Sequence, residues 1–377
     1  MAESLATQLY DINRFIYRYF SKKEPVEKTE KVAWITSFVP VELLEALNIA
    51  YVYPESYAAV IASSGKAIEC LEWAKAGNLS LDCCSYSTCF NGCLSLGRGP
   101  RGLPPKPDIL IASNNQCNTL PNWWNLLAQQ MDVPLIVLDY PGENNCGMHT
   151  AEYVKKQHEN LIVKLEQLSR NRLDEKKLLE ILSISKENVS LWKYILELFP
   201  KHEIMTRVLS DYISPLILAR SRPETGNFYR ILSEELVSYP QRGNKKRIYW
   251  AGYPLWYDAQ RYLTVEGMQI VGSNYASWWN LDYGGDNVWD MLYHAYNFTV
   301  LNLTGITRSK LINDDLVNSK ADGVIINRNK SCKRDFFSLN EFNSSLPCAV
   351  IESDMIDAGF IDMQTAIDRI NILIAAL

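Results

Sequence analysis

Short apolar runs alternate with amphipathic stretches at both ends of this chain, and a long middle section carries only the helical pattern. Val32–Phe38, Ile49–Tyr53, Ile109–Ala112 and Leu135–Leu138 are brief runs rich in aliphatic residues, as buried strands are. Between them, Val41–Leu47, Ala58–Ala76 and Trp123–Met131 repeat apolar residues at helical spacing. Pro40 suits the start of the first of these helices, where its missing N–H costs nothing. Strands alternating with helices in this way predict a parallel sheet covered on both faces.

From Thr150 to about Gln241 the strand-like runs stop. Helical segments are predicted at Ala151–Leu168, Asp174–Ile184, Val189–Phe199, Ile204–Leu218 and Phe228–Val237. Strands then return at Arg247–Ala251, Met268–Gly272, Val324–Ile326 and Ala349–Glu352, with helices between the first two of these strands, near Val288–Phe298, between the last two, and over Thr365–Ala376. Ahead of everything, Leu5, Leu9, Ile12, Ile16 and Phe20 mark an amphipathic helix that ends in a charged linker. The predicted organisation is a helical arm (1–30), a first α/β domain (31–149), a helical insert (150–243) and a second α/β domain (244–377).

The two α/β halves repeat an order of features. The stretch from Lys31 lines up loosely with that from Lys246, DILIASNNQC (Asp108–Cys117) with DGVIINRNKSC (Asp322–Cys332), and VPLIVLDYPGE with LPCAVIESDMID. In each half a cysteine follows the third strand and an acidic residue, Asp139 or Glu352, closes the fourth. Ligands of such sheets bind beyond the carboxyl ends of the strands, so Cys117 and Cys332 are expected to face one crevice between the domains.

Composition narrows the classes. At 377 residues the chain exceeds what one core usually supports, and 47% hydrophobic with 21% charged residues is an ordinary globular mixture. A net charge of −5 argues against a nucleic-acid partner. The N-terminus lacks a basic region followed by an apolar core, and no run approaches the roughly 18 apolar residues of a membrane span. The expectation is a cytoplasmic protein without a membrane partner, in which nine cysteines are not a disulfide framework.

Four of those cysteines, Cys83, Cys84, Cys89 and Cys93, fall within the eleven residues 83–93. Packing alone seldom concentrates cysteines so densely, whereas Cys70 and Cys348, inside apolar segments, read as buried small hydrophobes. Thiolates gathered from separate loops at strand ends suit a soft metal centre, and the reading here is an iron–sulfur cluster. Zinc is the first rival, but it favours four N/S ligands in short pairs. The four histidines show no ligand spacing, and His149 near Cys146 reads as a surface or N-capping residue. The compact ferredoxin run, a C-x-x-C redox pair and a phosphate loop are all absent from the sequence.

These residues carry a resemblance. CSY at Cys84, NNQCNT followed by Trp123 and Trp124, VPLIVLDYP, DGVIINRNKSCK with a downstream VIESDMID, and SFVPVELLEAL near the start resemble the 2-hydroxyacyl-CoA dehydratase/benzoyl-CoA reductase family, in the same order over about residues 31–370. The resemblance implies a 4Fe–4S cluster held by three cysteines, matching Cys84, Cys117 and Cys332. It also implies pairing with a homologous second subunit, and electrons from an ATP-dependent activator iron–sulfur protein. The implied reaction is one-electron, ketyl-radical chemistry on an acyl-CoA: dehydration of an (R)-2-hydroxyacyl-CoA or reduction of an aromatic ring. An iron without a protein ligand can bind a substrate oxygen as a Lewis acid. Cys83 is expected to turn into the core, since adjacent residues seldom both reach one metal. Cys89, Cys93 and Cys146 depart from the family pattern and leave open a double-cubane cluster. A further alternative is a non-catalytic, cluster-carrying partner of a heterodimer.

Polar residues complete the expectation. Ser37 ends the first strand and Glu55 follows the second, so both reach the crevice rim and are candidates for catalysis by hydrogen bonding or proton transfer. The competing reading is a helix-capping Ser37 and a solvated Glu55. Arg328, Lys330, Lys333 and Arg334 flank Cys332, either to offset cluster charge and meet CoA phosphates or as a solvated loop. The aromatics of Tyr275–Tyr283 wall a pocket or belong to the core. The fold expected is α/β: two flavodoxin/Rossmann-like parallel-sheet domains with a helical insert, and the cluster in the crevice between them.

Overall fold

The computed structural model describes residues 31–100, 102–202, 209–241, 243–257, 263–332 and 345–377. The helical arm over 1–30, the start of Ile204–Leu218, residues 258–262 of the helix expected between Arg247–Ala251 and Met268–Gly272, the helix between the last two strands, Lys333 and Arg334 lie outside the described residues.

Two parallel four-stranded sheets form, and they have the same strand order. The first comprises β1 (Val32–Ile35), β2 (Ala50–Val52), β3 (Ile109–Ser113) and β4 (Leu135–Leu138), ordered β2-β1-β3-β4. The second comprises β5 (Lys246–Ala251), β6 (Met268–Ser273), β7 (Gly323–Asn329) and β8 (Cys348–Ser353), ordered β6-β5-β7-β8. In both, the first strand in sequence sits centrally, with Ala33 opposite Ile109 and Ile248 opposite Gly323. The repeated order of features seen in sequence is thus a repeated topology. β1 and β3 are buried at every residue, which is why they read as continuous apolar runs without alternation.

Helices connect the strands: α1 (Val41–Ala46), α2 (Pro54–Ser63), α3 (Ala67–Ala76), α4 (Ser85–Leu96) and α5 (Thr119–Met131) in the first half. The middle section holds α6 (Thr150–Ser169), α7 (Glu175–Leu198), α8 (Leu209–Tyr212), α9 (Ser214–Ala219) and α10 (Pro223–Ser238). The second half adds α11 (Asn274–Ser277), α12 (Val288–Asn297), α13 (Gly305–Ser319) and α14 (Met363–Ala376).

Three differences from the sequence expectation have local causes. Ala58–Ala76 is two helices rather than one stretch, because Gly65 takes a left-handed conformation (φ 70°) and ends α2. The segments expected at Asp174–Ile184 and Val189–Phe199 are one helix, α7. Its intervening Ser-Lys-Glu-Asn is no helix breaker, and Asn188, buried there, donates to the carbonyls of Arg220 (2.7 Å) and Arg222 (2.8 Å). Helix α13 has no counterpart in the expectation, because its buried face consists of Arg308, Ile312, Leu316 and Ser319, only two of which are apolar.

One large core joins the first sheet to the middle helices and the Tyr275–Tyr283 aromatics: Trp34, Trp124, Trp192, Tyr229 and Trp279 all belong to it. The second sheet has a separate small core on each face, divided by strand alternation. Ile248, Trp250 and Ile325 face one way, and Tyr249, Ala251 and Val324 the other.

Helices α3 and α4 touch at backbone level. A Cβ on Gly92 would lie 1.8 Å from the carbonyl oxygen of Cys70. Gly92→Ala must therefore push the helices apart, and a loss of about 1–3 kcal/mol or more is expected from overpacking. Gly147→Ala, with nothing within 4 Å of the added methyl, should stay within about 0.5 kcal/mol. Denaturant unfolding of the two variants checks both values.

Candidate metal centre

The parallel topology sends the segments after β1, β2, β3 and β7 to the carboxyl ends of the sheets, and these bring the candidate residues. Ser37 follows β1 and is buried. Its N–H and its Oγ both donate to Glu55 Oε2, at 3.1 and 3.0 Å. Glu55 sits in the first turn of α2, directly after Pro54, and is 9% exposed. The solvated-Glu reading is therefore corrected: Glu55 is enclosed and orients toward Ser37. Burial pushes its carboxyl up to about 7, against the opposing effect of hydrogen bonds from Ser37 and Gln116.

Cys84 is the N-cap residue of α4 and is half-buried. Its carbonyl accepts from Thr88 N (3.0 Å) and Ser87 Oγ (2.7 Å), while the N–H groups of Ser87 and Tyr86 point at its sulfur. Burial raises this thiol far above its ordinary value, and nearby Cys117 and Glu55 add to the rise. Cys117, in the loop between β3 and α5, is built the same way. Burial raises it, and the N–H groups of Leu120 and Thr119 at the start of α5 oppose the rise. Two thiols thus sit at helix starts, where N–H groups favour an anionic sulfur.

Cys332 arrives from the end of β7. Asn329 Oδ1 accepts from Cys332 N (3.2 Å), Ser331 N (3.1 Å) and Ser331 Oγ (3.1 Å), folding the loop into a tight turn. Ser331 Oγ also hydrogen-bonds with Ser85 Oγ at 2.9 Å, both residues buried. The residues adjoining Cys332 and Cys84 are therefore in direct contact, although the two cysteines are far apart in sequence. Tyr86, also on α4, accepts a hydrogen bond from Trp256 Nε1, and burial holds Tyr86 and Tyr275 in the protonated form beside this site. A polar cleft of about 910 Å³ opens beside the Cys117 loop, lined by Asn114, Asn118, Asp139, Asn302 and Arg308.

By chemical type, Cys84, Cys117 and Cys332 are the thiol donors that an iron–sulfur cluster takes. Among the described residues no three His, Cys, Asp or Glu side chains stand close enough to share one metal ion. Two buried polar atoms here, Gln116 Oε1 and Asn329 Nδ2, also have no partner among the described residues. Enclosed thiols of raised pKa stay protonated by themselves; coordination to a cation is what deprotonates them.

The remaining cysteines separate by environment, and none of the nine is joined in a disulfide. Cys83 is exposed, which corrects the expectation that it turns into the core: the chain enters α4 at Cys84, leaving its predecessor on the surface. Cys348 is exposed at the edge-strand start of β8, so only Cys70 of the two expected small hydrophobes is buried. The Cys70 thiol hydrogen-bonds with those of Cys89 and Cys93, which turn into the α3–α4 contact. Cys146 is exposed, with its sulfur on the carbonyl of Gly142 (2.9 Å). His149 is exposed at the N-cap position of α6 without a side-chain cap bond. Arg328 pairs with Glu352 at 3.5 Å across β7 and β8, and Lys330 lies 4.8 Å from the Phe360 ring. Gln116, Tyr86 and Ser331 are site-lining residues that the sequence pattern did not single out. Their only signal was adjacency to Cys117, Cys84 and Cys332.

Comparison with known proteins shows the family. The family model for the 2-hydroxyglutaryl-CoA dehydratase D-component matches residues 36–371, and the chain belongs to that family. It is 31% identical to the (R)-2-hydroxyisocaproyl-CoA dehydratase alpha subunit of Clostridioides difficile, over 90% of this chain and 88% of the relative. It is 27% identical to the (R)-phenyllactyl-CoA dehydratase alpha subunit of Clostridium sporogenes (82% and 79%) and 26% identical to one subunit of the benzoyl-CoA reductase of Thauera aromatica (92% and 88%). Among the described residues no helix is long and apolar enough to cross a membrane.

Proposed function

We propose that this chain is the cluster-bearing subunit of a cytoplasmic 2-hydroxyacyl-CoA dehydratase that works with a homologous second subunit. The observation that carries this reading is the convergence of Cys84, Cys117 and the Cys332 turn with the buried Ser37–Glu55 pair. Cys84, Cys117 and Cys332 would hold a 4Fe–4S cluster, and that group supplies an electron and a Lewis-acidic iron. The chain's own residues do the rest. Helix-start N–H groups behind Cys84 and Cys117 favour the thiolate form. Dehydration removes the hydroxyl on C2 and a proton from C3, so it needs a group that can give or take a proton near neutral pH. Glu55, poised at about 7 and fixed by Ser37, is that group. The polar cleft beside Asn118 can take the long polar part of an acyl-CoA. Relatives named as alpha subunits support the partner, and dehydratases among them support dehydration over ring reduction.

The electron is assigned to a separate ATP-dependent activator, because the sequence has no phosphate loop and aromatic walls around thiolates disfavour adding charge. Anaerobic assays with the second subunit, activator and a panel of (R)-2-hydroxyacyl-CoA thioesters test the proposal. Turnover that requires both activator and ATP is expected. Absence of dehydration on every thioester, or full turnover with a mild reductant alone, would contradict it.

A further inference from the structure

Behind the candidate site lies a buried charged cluster to which the hydrophobic pattern gave no pointer. Arg220, just after α9, and Glu42, in the first turn of α1, are both 0% exposed. Their charged groups lie 3.8 Å apart, from Arg220 Nε to Glu42 Oε1. Both carboxylate oxygens are bonded: Tyr283 and Ser185 each donate to Oε1 at 2.7 Å, and Tyr296 donates to Oε2 at 2.5 Å. The guanidinium packs over the Tyr296 ring, 5.6 Å from its centroid, and donates to the Tyr296 hydroxyl through Nε (3.3 Å) and Nη2 (3.0 Å).

The other guanidinium contacts are to the segment that carries Ser37. Nη2 donates to the Val39 carbonyl at 2.9 Å and Nη1 to the Ser37 carbonyl at 3.5 Å. Between them, the Phe38 carbonyl accepts from Asn115 Nδ2 at 3.4 Å, and the same amide donates to the Tyr296 carbonyl at 2.8 Å. Three successive carbonyls after β1 are therefore gripped by side chains, one of which lies two residues before Cys117. A buried ion pair is seldom the most stable filling for a core, since well-packed apolar residues often do as well or better. What it adds here is direction. A planar fork can reach two carbonyls and a hydroxyl at once, which an ammonium on a flexible stem cannot reproduce.

We infer that Arg220 is a positioning residue: it fixes the Ser37–Val39 segment, and through it the Ser37–Glu55 pair, against the loop that bears Cys117. The inference rests on the reading that Ser37 and Glu55 serve the reaction. Its test compares Arg220→Lys, Arg220→Met and Tyr296→Phe in the reconstituted enzyme with second subunit and activator, following kcat, KM, iron content and thermal midpoint. Arg220→Lys is expected to recover much of the stability lost in Arg220→Met. Its iron content and KM should stay within about threefold of the parent, while kcat falls by about 10–100-fold, as sub-ångström to ångström misplacement produces. Tyr296→Phe should show a smaller kcat loss with full iron content, and it decides the matter if neither Arg220 variant folds. Trp192→Phe, in the core of α7 with its indole on the Ala276 carbonyl (3.0 Å), serves as control and should lower the thermal midpoint without changing kcat.

Unchanged kcat in Arg220→Lys, or in Tyr296→Phe when that variant decides, overturns the inference. So does a kcat loss that merely tracks folded fraction or iron content. Failure of the underlying reading looks different: Glu55→Gln would then retain full kcat. If Glu55→Gln is inactive while Arg220→Lys is fully active, only the role of Arg220 falls.

Discussion

Replacing Cys117 by alanine is expected to remove iron and turnover together, leaving a folded but colourless chain. The thiol lies in the loop after β3, between that central strand and the start of α5, and among the described residues no neighbouring cysteine is placed to substitute. Cys89 and Cys93 face Cys70 inside the α3–α4 contact, and Cys83 and Cys146 are exposed. The fold itself should survive, because Cys117 is only half-buried and packs at the margin of the main core. Anaerobic reconstitution followed by absorbance, iron analysis and circular dichroism separates loss of the centre from loss of the fold. The same outcome is expected for Cys84→Ala and Cys332→Ala.

Glu55→Gln should lower turnover by about 10²–10⁴-fold, the usual range for a lost proton-transfer group. Its effect on stability should run the opposite way. Burial raises the Glu55 carboxyl from 4.5 to about 7 in the folded chain. Between those values the folded state holds a proton that the unfolded state has released. Stability therefore falls as pH rises through that window, by on the order of 3 kcal/mol once both states are ionised. The amide has no such proton to lose. The variant should match the parent below about pH 4.5 and exceed it in stability above about pH 7. Denaturant unfolding at pH 5 and pH 8 reads this directly; a variant less stable than the parent at pH 8 would sink the assignment of a strained, buried carboxyl.

Much of this fold was legible because its strands announce themselves. β1 and β3 are buried on both faces, so their residues are almost uniformly apolar, and β4 occupies the span its pattern predicts. The repeated topology was visible as a repeated order of strand, cysteine and acid. The polar helix α13 was not visible, since Arg308 and Ser319 take half of its buried positions. Cys117 and Cys332 could be placed from their strand ends, and Ser37 and Glu55 from the geometry of a parallel sheet. That Glu55 is enclosed could not be read locally: Ser37, eighteen residues earlier, and Gln116 close around it only in three dimensions. Arg220 is the extreme case. An arginine in a middle helical section reads as surface, and it takes Glu42, Tyr283 and Tyr296 from three distant segments to bury it.

Iron and acid-labile sulfide, counted on anaerobically reconstituted protein, decide most directly whether Cys84, Cys117 and Cys332 hold a cluster. About four of each per chain are predicted for the parent, with the same count in Cys70→Ala and Cys348→Ala and little or none in the three ligand variants. A colourless chain that binds zinc instead, or one that keeps its full iron and sulfide after Cys84, Cys117 and Cys332 are replaced together, would contradict the assignment.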